Sequence, residues 1–160
     1  VLKGKSLNEL ESYDASIQTF KAAWDSYGMS ADARNGRGEA YLELGQIDLA
    51  RSDYEAAGEL DRSNPDILSN IGHIRANYLG DFEGAIRYLE DALAMNPNDA
   101  RAYRDKGIAH AQLREFEESM VELNRAAELE PGDDKNYSTM GHLPRPGRFS
   151  GGDRRLDAGD

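Results

Sequence analysis

The side chains best suited to chemistry in this chain are its three histidines, His73, His110 and His142, and its paired carboxylates. An imidazole works as acid, base or metal ligand when a second titratable group stands at the right spacing. Neither His73 nor His110 has a second histidine at metal-ligand spacing, so both are expected to be polar residues on a helix surface or in a groove. Asn35-Gly36-Arg37-Gly38-Glu39 is glycine-rich, but it lies in a helical pattern and lacks the Lys-Ser/Thr of a phosphate loop. Glu117-Glu118 reads as a solvated helix face and Asp133-Asp134 as a loop or cap, and no D-x-D-x-D-G calcium loop is present. The chain has no cysteine, which removes disulfides, thiolate nucleophiles and cysteine-based zinc sites. No catalytic residue, cofactor or metal is implied. The remaining chemistry is recognition, and recognition depends on how the backbone positions its side chains.

The positions follow a ruler. Gly4, Gly38, Gly72, Gly107 and Gly141 are separated by 34, 34, 35 and 34 residues. Ser16, Ala50, Ala85 and Ser119 keep the same beat, as do Ala23, Ala57, Ala92 and Ala126. So do Tyr13, Ile47, Phe82 and Phe116, and Phe20, Tyr54, Leu89 and Leu123. Every series that crosses 72–85 takes its one 35-residue step there, which places an added residue near Asn77–Leu79, at the turn between two helices. Within a unit the apolar spacing is three and four: Tyr103, Gly107 and Ala111 share one face, then Phe116, Met120, Leu123 and Ala127 share another. Pro97 and Pro131 close successive units, with Asn64 and Asn98-Asp99 placed to cap the helices that follow. A glycine inside a helix costs about 1 kcal/mol relative to alanine, so one kept in every unit implies that two helices touch there.

A unit of this length carrying Gly38–Tyr41–Gly45–Ala50–Tyr54–Ala57, or Tyr103–Gly107–Phe116–Ala126–Pro131, resembles the tetratricopeptide repeat. The resemblance implies an all-α, right-handed superhelical solenoid of antiparallel helix pairs. Complete units fall at 31–64, 65–99 and 100–133. Residues 1–30 fit a partial unit, a truncated first helix plus a second helix, and 134–141 the start of a capping helix. The stretch 142–160, rich in Gly, Pro, Arg and Asp, has the composition of a disordered tail. The absence of an initial Met fits a mature or excised fragment.

In such repeats the first helices line a concave groove that holds another polypeptide. Carried over by register, the groove candidates are Asp32, Asn35, Glu39 and Leu42, then Ser69, Asn70, His73 and Asn77, then Arg101, Arg104, Ile108 and Gln112. Amides such as Asn70 suit a peptide backbone, and Arg101 with Arg104 suits a carboxylate. Some members grip a terminal carboxylate with a Lys, Asn and Arg clamp. Asn70 and Arg101 match two of its places, but Asn35, Glu39 and Asp105 depart from it, and the two acids would repel the ligand, so the clamp is rejected. The expected role is a protein-interaction scaffold for a peptide segment. The alternatives are self-association within a larger repeat assembly, as a homo-oligomer, or a regulatory domain of an enzyme lying elsewhere.

The acidic balance is first what keeps many proteins in solution, and it also suits a basic or mixed-charge peptide partner. With 30 acidic and 19 basic side chains the chain carries −11, which opposes phosphate backbones and anionic membrane surfaces, so neither nucleic acid nor membrane is expected as a partner. No apolar stretch approaches the roughly 20 residues of a membrane span. No address is legible, and cytoplasmic residence is the default expectation.

Overall fold

The structure is a computed structural model that describes residues 7–27 and 30–141. Among the described residues eight α-helices follow one another: α1 (Leu7–Tyr27), α2 (Ala31–Glu43), α3 (Ile47–Leu60), α4 (Pro65–Ile74), α5 (Phe82–Met95), α6 (Ala100–Gln112), α7 (Phe116–Leu129) and α8 (Asp134–Gly141). A π-helical turn, Arg75–Leu79, continues α4. Helices α2 and α3, α4 and α5, and α6 and α7 form antiparallel pairs, each pair packing on the next, and α8 closes against α7. This is a helical solenoid, with α2, α4 and α6 in one layer and α3, α5 and α7 in the other.

Each unit starts and stops by the same local chemistry. Ser30, Asn64 and Asp99 accept hydrogen bonds from the first free amides of α2, α4 and α6, and Pro65 occupies the first turn of α4, where its missing N–H costs nothing. At the far end Asp61, Asn96 and Glu130 donate back to Ala57, Ala92 and Ala126 at 2.9, 2.8 and 2.9 Å. One bond repeats at one register, which shows that the sequence ruler measures real structure.

Each pair of helices is closed at its glycine. A Cβ on Gly72 would stand 2.5 Å from Leu89 Cγ and 3.3 Å from the Ala85 carbonyl oxygen. The same atom on Gly107 would stand 2.8 Å from Leu123 Cγ, and on Gly38 2.7 Å from the Tyr54 ring. Such approaches leave no room for a side chain, so the helix-propensity cost of glycine is offset by contact. Ala50, Tyr54 and Ala57 are fully buried in one apolar cluster with Ile67, Ile71 and Ile74; Ala85, Leu89 and Ala102 belong to a second, one repeat along.

Two features stand outside the regular repeat. Leu7–Tyr27 is one continuous helix, and residues 1–6 and 28–29 of the expected partial unit lie outside the described residues. No glycine or proline lies between Leu7 and Ser12 to break it, so the hydrogen-bond ladder runs on. The added residue expected near 77–79, by the turn between two helices, falls within the π turn Arg75–Leu79. The corner bond records the change. Gln46 N donates to Tyr41 O and Glu115 N to His110 O, five residues back, whereas Asp81 N donates to Arg75 O, six back. The expected tail, 142–160, lies outside the described residues.

Candidate functional site

Helices α2, α4 and α6 bring most of the candidate residues onto one face, where many of them bind each other. Arg101, the second residue of α6, donates to Asn70 Oδ1 on α4. Asn70 Nδ2 in turn donates to Asn35 Oδ1 at 2.9 Å and Glu39 Oε1 at 3.0 Å, both on α2. Asn35 also donates to Glu39 at 3.3 Å. Asn70 is only 2% exposed, so both ends of its amide are spent linking three successive repeats. A buried amide left unpaired would cost about 1–3 kcal/mol, so this ladder fixes the rotation between units.

A second ladder lies farther along α4. His73 Nδ1 stands 2.7 Å from Asp105 Oδ2, and Asn77 Nδ2 donates to Asp105 Oδ1 at 3.1 Å and to the His73 carbonyl at 3.0 Å. A carboxylate oxygen can only accept here, so Nδ1–H of His73 is the donor in this contact. Asp105 is 2% exposed, so its charge is directed at His73 and Asn77 and away from solvent. The clamp position it occupies is thus taken up internally.

The remaining candidates divide sharply. Arg104 is committed to Asp133 Oδ2 at 2.6 Å, ahead of α8. Ser69 is buried and donates to Asp99 at 2.9 Å; Asp32 accepts from Asn64 at 3.2 Å. Leu42 packs against the core, Ile108 is half-buried and Gln112 is exposed. Arg101 is different. It is half-buried, and among the described residues no carboxylate lies within ion-pair distance of it. A concavity of about 540 Å³ beside it is lined by Tyr13, Phe20, Leu42 and Tyr54 and by two carboxylates, Glu39 and Glu43.

Two aromatic residues of this region carry more than the sequence reading gave them. Tyr54 is fully buried, and its hydroxyl has no hydrogen-bond partner among the described residues. Burial pushes the phenol well above its ordinary range, aided by the nearby Glu39, while Arg101 acts in the opposite direction. Tyr78, on the π turn, meets the His73 ring edge-on with centroids 5.9 Å apart. The signal for Tyr78 was present in the 35-residue step; no sequence signal marks the Tyr54 hydroxyl, because its lack of a partner arises only from packing. Among the described residues no group of three or more His, Asp or Glu side chains could hold a metal ion, and no helix is long and apolar enough to cross a membrane.

Comparison with known proteins resolves the family. A tetratricopeptide-repeat profile matches residues 73–141 and a second TPR-repeat profile matches 38–77. The chain belongs to the tetratricopeptide repeat family. Among curated relatives it is similar to Hsp70-Hsp90 organizing protein 2 of Arabidopsis thaliana, 31% identical over 86% of this chain and 23% of the relative. The chain spans under a quarter of the length of the curated relatives it matches. Its fold is similar to the crystal structure of MamA, with a TM-score of 0.71, 19% identity, and coverage of 81% of this chain and 75% of that one. It is also similar to the first TPR of Spaghetti (RPAP3) bound to the HSP90 peptide SRMEEVD, with a TM-score of 0.65, 26% identity, and coverage of 70% and 88%. The repeat beat, the glycine contacts and the two profiles agree on a TPR solenoid.

Proposed function

We propose that this TPR solenoid is a non-catalytic protein-interaction scaffold whose α2–α4–α6 face receives a peptide segment of a partner, with Arg101 meeting a carboxylate of that segment. The supporting observation is Arg101 itself. Arg104 has spent its charge on Asp133, while Arg101 keeps an unneutralised guanidinium beside a concavity, held in place by Asn70. A guanidinium positioned by one hydrogen bond retains further N–H donors for a bidentate carboxylate. Asn35, Glu39, Asn70, His73 and Asn77 then act mainly by shaping the face, and exposed Gln112 offers its amide to the ligand backbone. The peptide-bound RPAP3 relative shows that a similar fold accommodates such a segment.

The test is peptide selection. Random peptides displayed on phage are panned against the chain, and the enriched sequences are measured by fluorescence anisotropy. Arg101→Glu should weaken them roughly tenfold or more with helicity unchanged, since removing one member of a desolvated charge pair acts on the dissociation rate. Full affinity in that variant refutes the role given to Arg101. Arg104→Glu is the control: it breaks the Asp133 link and should lower thermal stability before it lowers affinity.

A further inference from the structure

The repeat spanning 65–99 has one residue without a counterpart, and that residue is an aromatic. Leu44 and Leu113 stand six places after Gly38 and Gly107, each directly before the corner residue of positive φ. Leu79 stands seven places after Gly72, directly before Gly80. Asn77, five places after Gly72, matches Glu43 and Gln112, so Tyr78 is the addition.

The π turn decides where that addition points. On an α-helix of 3.6 residues per turn, positions five apart diverge by roughly 140°. The i→i+5 bonding of a π turn brings them together, and π turns recur at functional sites. His73 and Tyr78, five apart, accordingly meet ring to ring at an interplanar angle of 69°. His73 is bound to Asp105 of α6, so its contact holds Tyr78 beside the face described above. Tyr78 remains 44% exposed.

We propose that Tyr78 forms a cation-accepting subsite on this face, its ring receiving a lysine or arginine side chain of the bound segment. This rests on the peptide-binding reading above and extends it to the chemistry of a second ligand residue. Three observations select a cation. Tyr78 lies at the carbonyl end of the α4–π segment, where the helix dipole is negative and the one basic side chain of the π turn, Arg75, is paired with Asp81 and Glu55. The carboxylate of Glu43 is carried by the last turn of the neighbouring α2, at the register of Asn77. The chain as a whole carries −11. Tyr78 also lies eight residues beyond Asn70, the partner of Arg101, or roughly 12 Å along the helix. The face is therefore polarised, with a site for an anion at Arg101 and a site for a cation at Tyr78.

The experiment uses the same selected peptides. They should carry a basic residue at a fixed distance from an acidic one. Replacing that residue with norleucine should weaken binding to the wild-type chain roughly three- to tenfold. Tyr78→Phe should keep the preference, and Tyr78→Ala should lose affinity by the same factor while becoming indifferent to the norleucine change. Circular dichroism and thermal melting of Tyr78→Ala confirm that it is folded. Selected peptides that bind Tyr78→Ala as tightly as wild type, or pay the same norleucine penalty on both, overturn the subsite and leave the Arg101 reading standing. Failure of the wild-type chain to enrich any peptide overturns the peptide-binding reading and this subsite with it.

Discussion

The middle repeat, 65–99, and the repeats on either side of it share one packing plan and differ in how they treat charge and corners. Gly72 meets Leu89 as Gly107 meets Leu123, within a few tenths of an ångström. One place before each glycine the repeats diverge. Arg37 makes a bidentate ion pair with Asp53, both bonds 2.6 Å, and Lys106 lies 3.1 Å from Glu122 and from Glu90. The middle repeat has Ile71 and Tyr88 at these places, in apolar contact. At the corner the middle repeat uses a π turn, Gly80 at φ +69° and an Asp81 side-chain cap; the third uses Arg114 at φ +65° and no side-chain cap. The helix crossing keeps its glycine in all three repeats because its atoms are already in contact, whereas corners and flanking pairs admit several solutions.

The largest expected effect lies at the charged pairs. Asp53 is 5% exposed and Arg37 15%, so Asp53→Ala removes the carboxylate that faces a half-buried guanidinium and should cost about 2–4 kcal/mol in chemical denaturation. Asp53 also holds the Arg37 charge through their hydrogen bond, against the opposing effect of burial. Copying the middle repeat, Arg37→Ile with Asp53→Tyr, should be far milder. A double variant as damaged as Asp53→Ala would show that the two solutions are not interchangeable.

Next come the glycines. Gly72→Ala should destabilise by about 1–2 kcal/mol, the overpacking cost less the gain in helix propensity. Gly107→Ala should cost less, since its nearest contact is 2.8 Å against 2.5 Å. Equal or inverted losses, read from urea midpoints at constant slope, would break the link between close approach and cost.

The smallest effect is at the corner, and its sign is opposite. Arg114→Gly should stabilise by about 0.5–1 kcal/mol, because the left-handed conformation strains any residue with a Cβ and the exposed side chain gives little up. A lower melting temperature for Arg114→Gly would mean that the arginine contributes a contact that outweighs its strain.

Much of the fold was legible because close packing leaves periodic marks. Glycine, alanine and large apolar residues recur wherever two helices must meet, and the 35-residue step located the added residue to within a few positions. The candidate site was legible as a face and less so as a set of contacts. Asn70 and Arg101 look alike in the sequence, two polar residues at groove register, yet one is fully engaged between repeats and the other keeps a free charge. Arg104 was expected to resemble Arg101, and Asp133, 29 residues farther on, separates them.

The sequence by itself determined the helix pairs, their phase and the place of the insertion, because these follow from local hydrogen bonding and from which residue sizes fit a crossing. Only the tertiary structure decided which polar groups face each other across repeats and which have no opposite charge within ion-pair distance. Periodicity fixes the side of a helix from which a residue projects. What stands opposite it depends on the rotation between units, and the summed packing of residues some thirty positions apart sets that rotation.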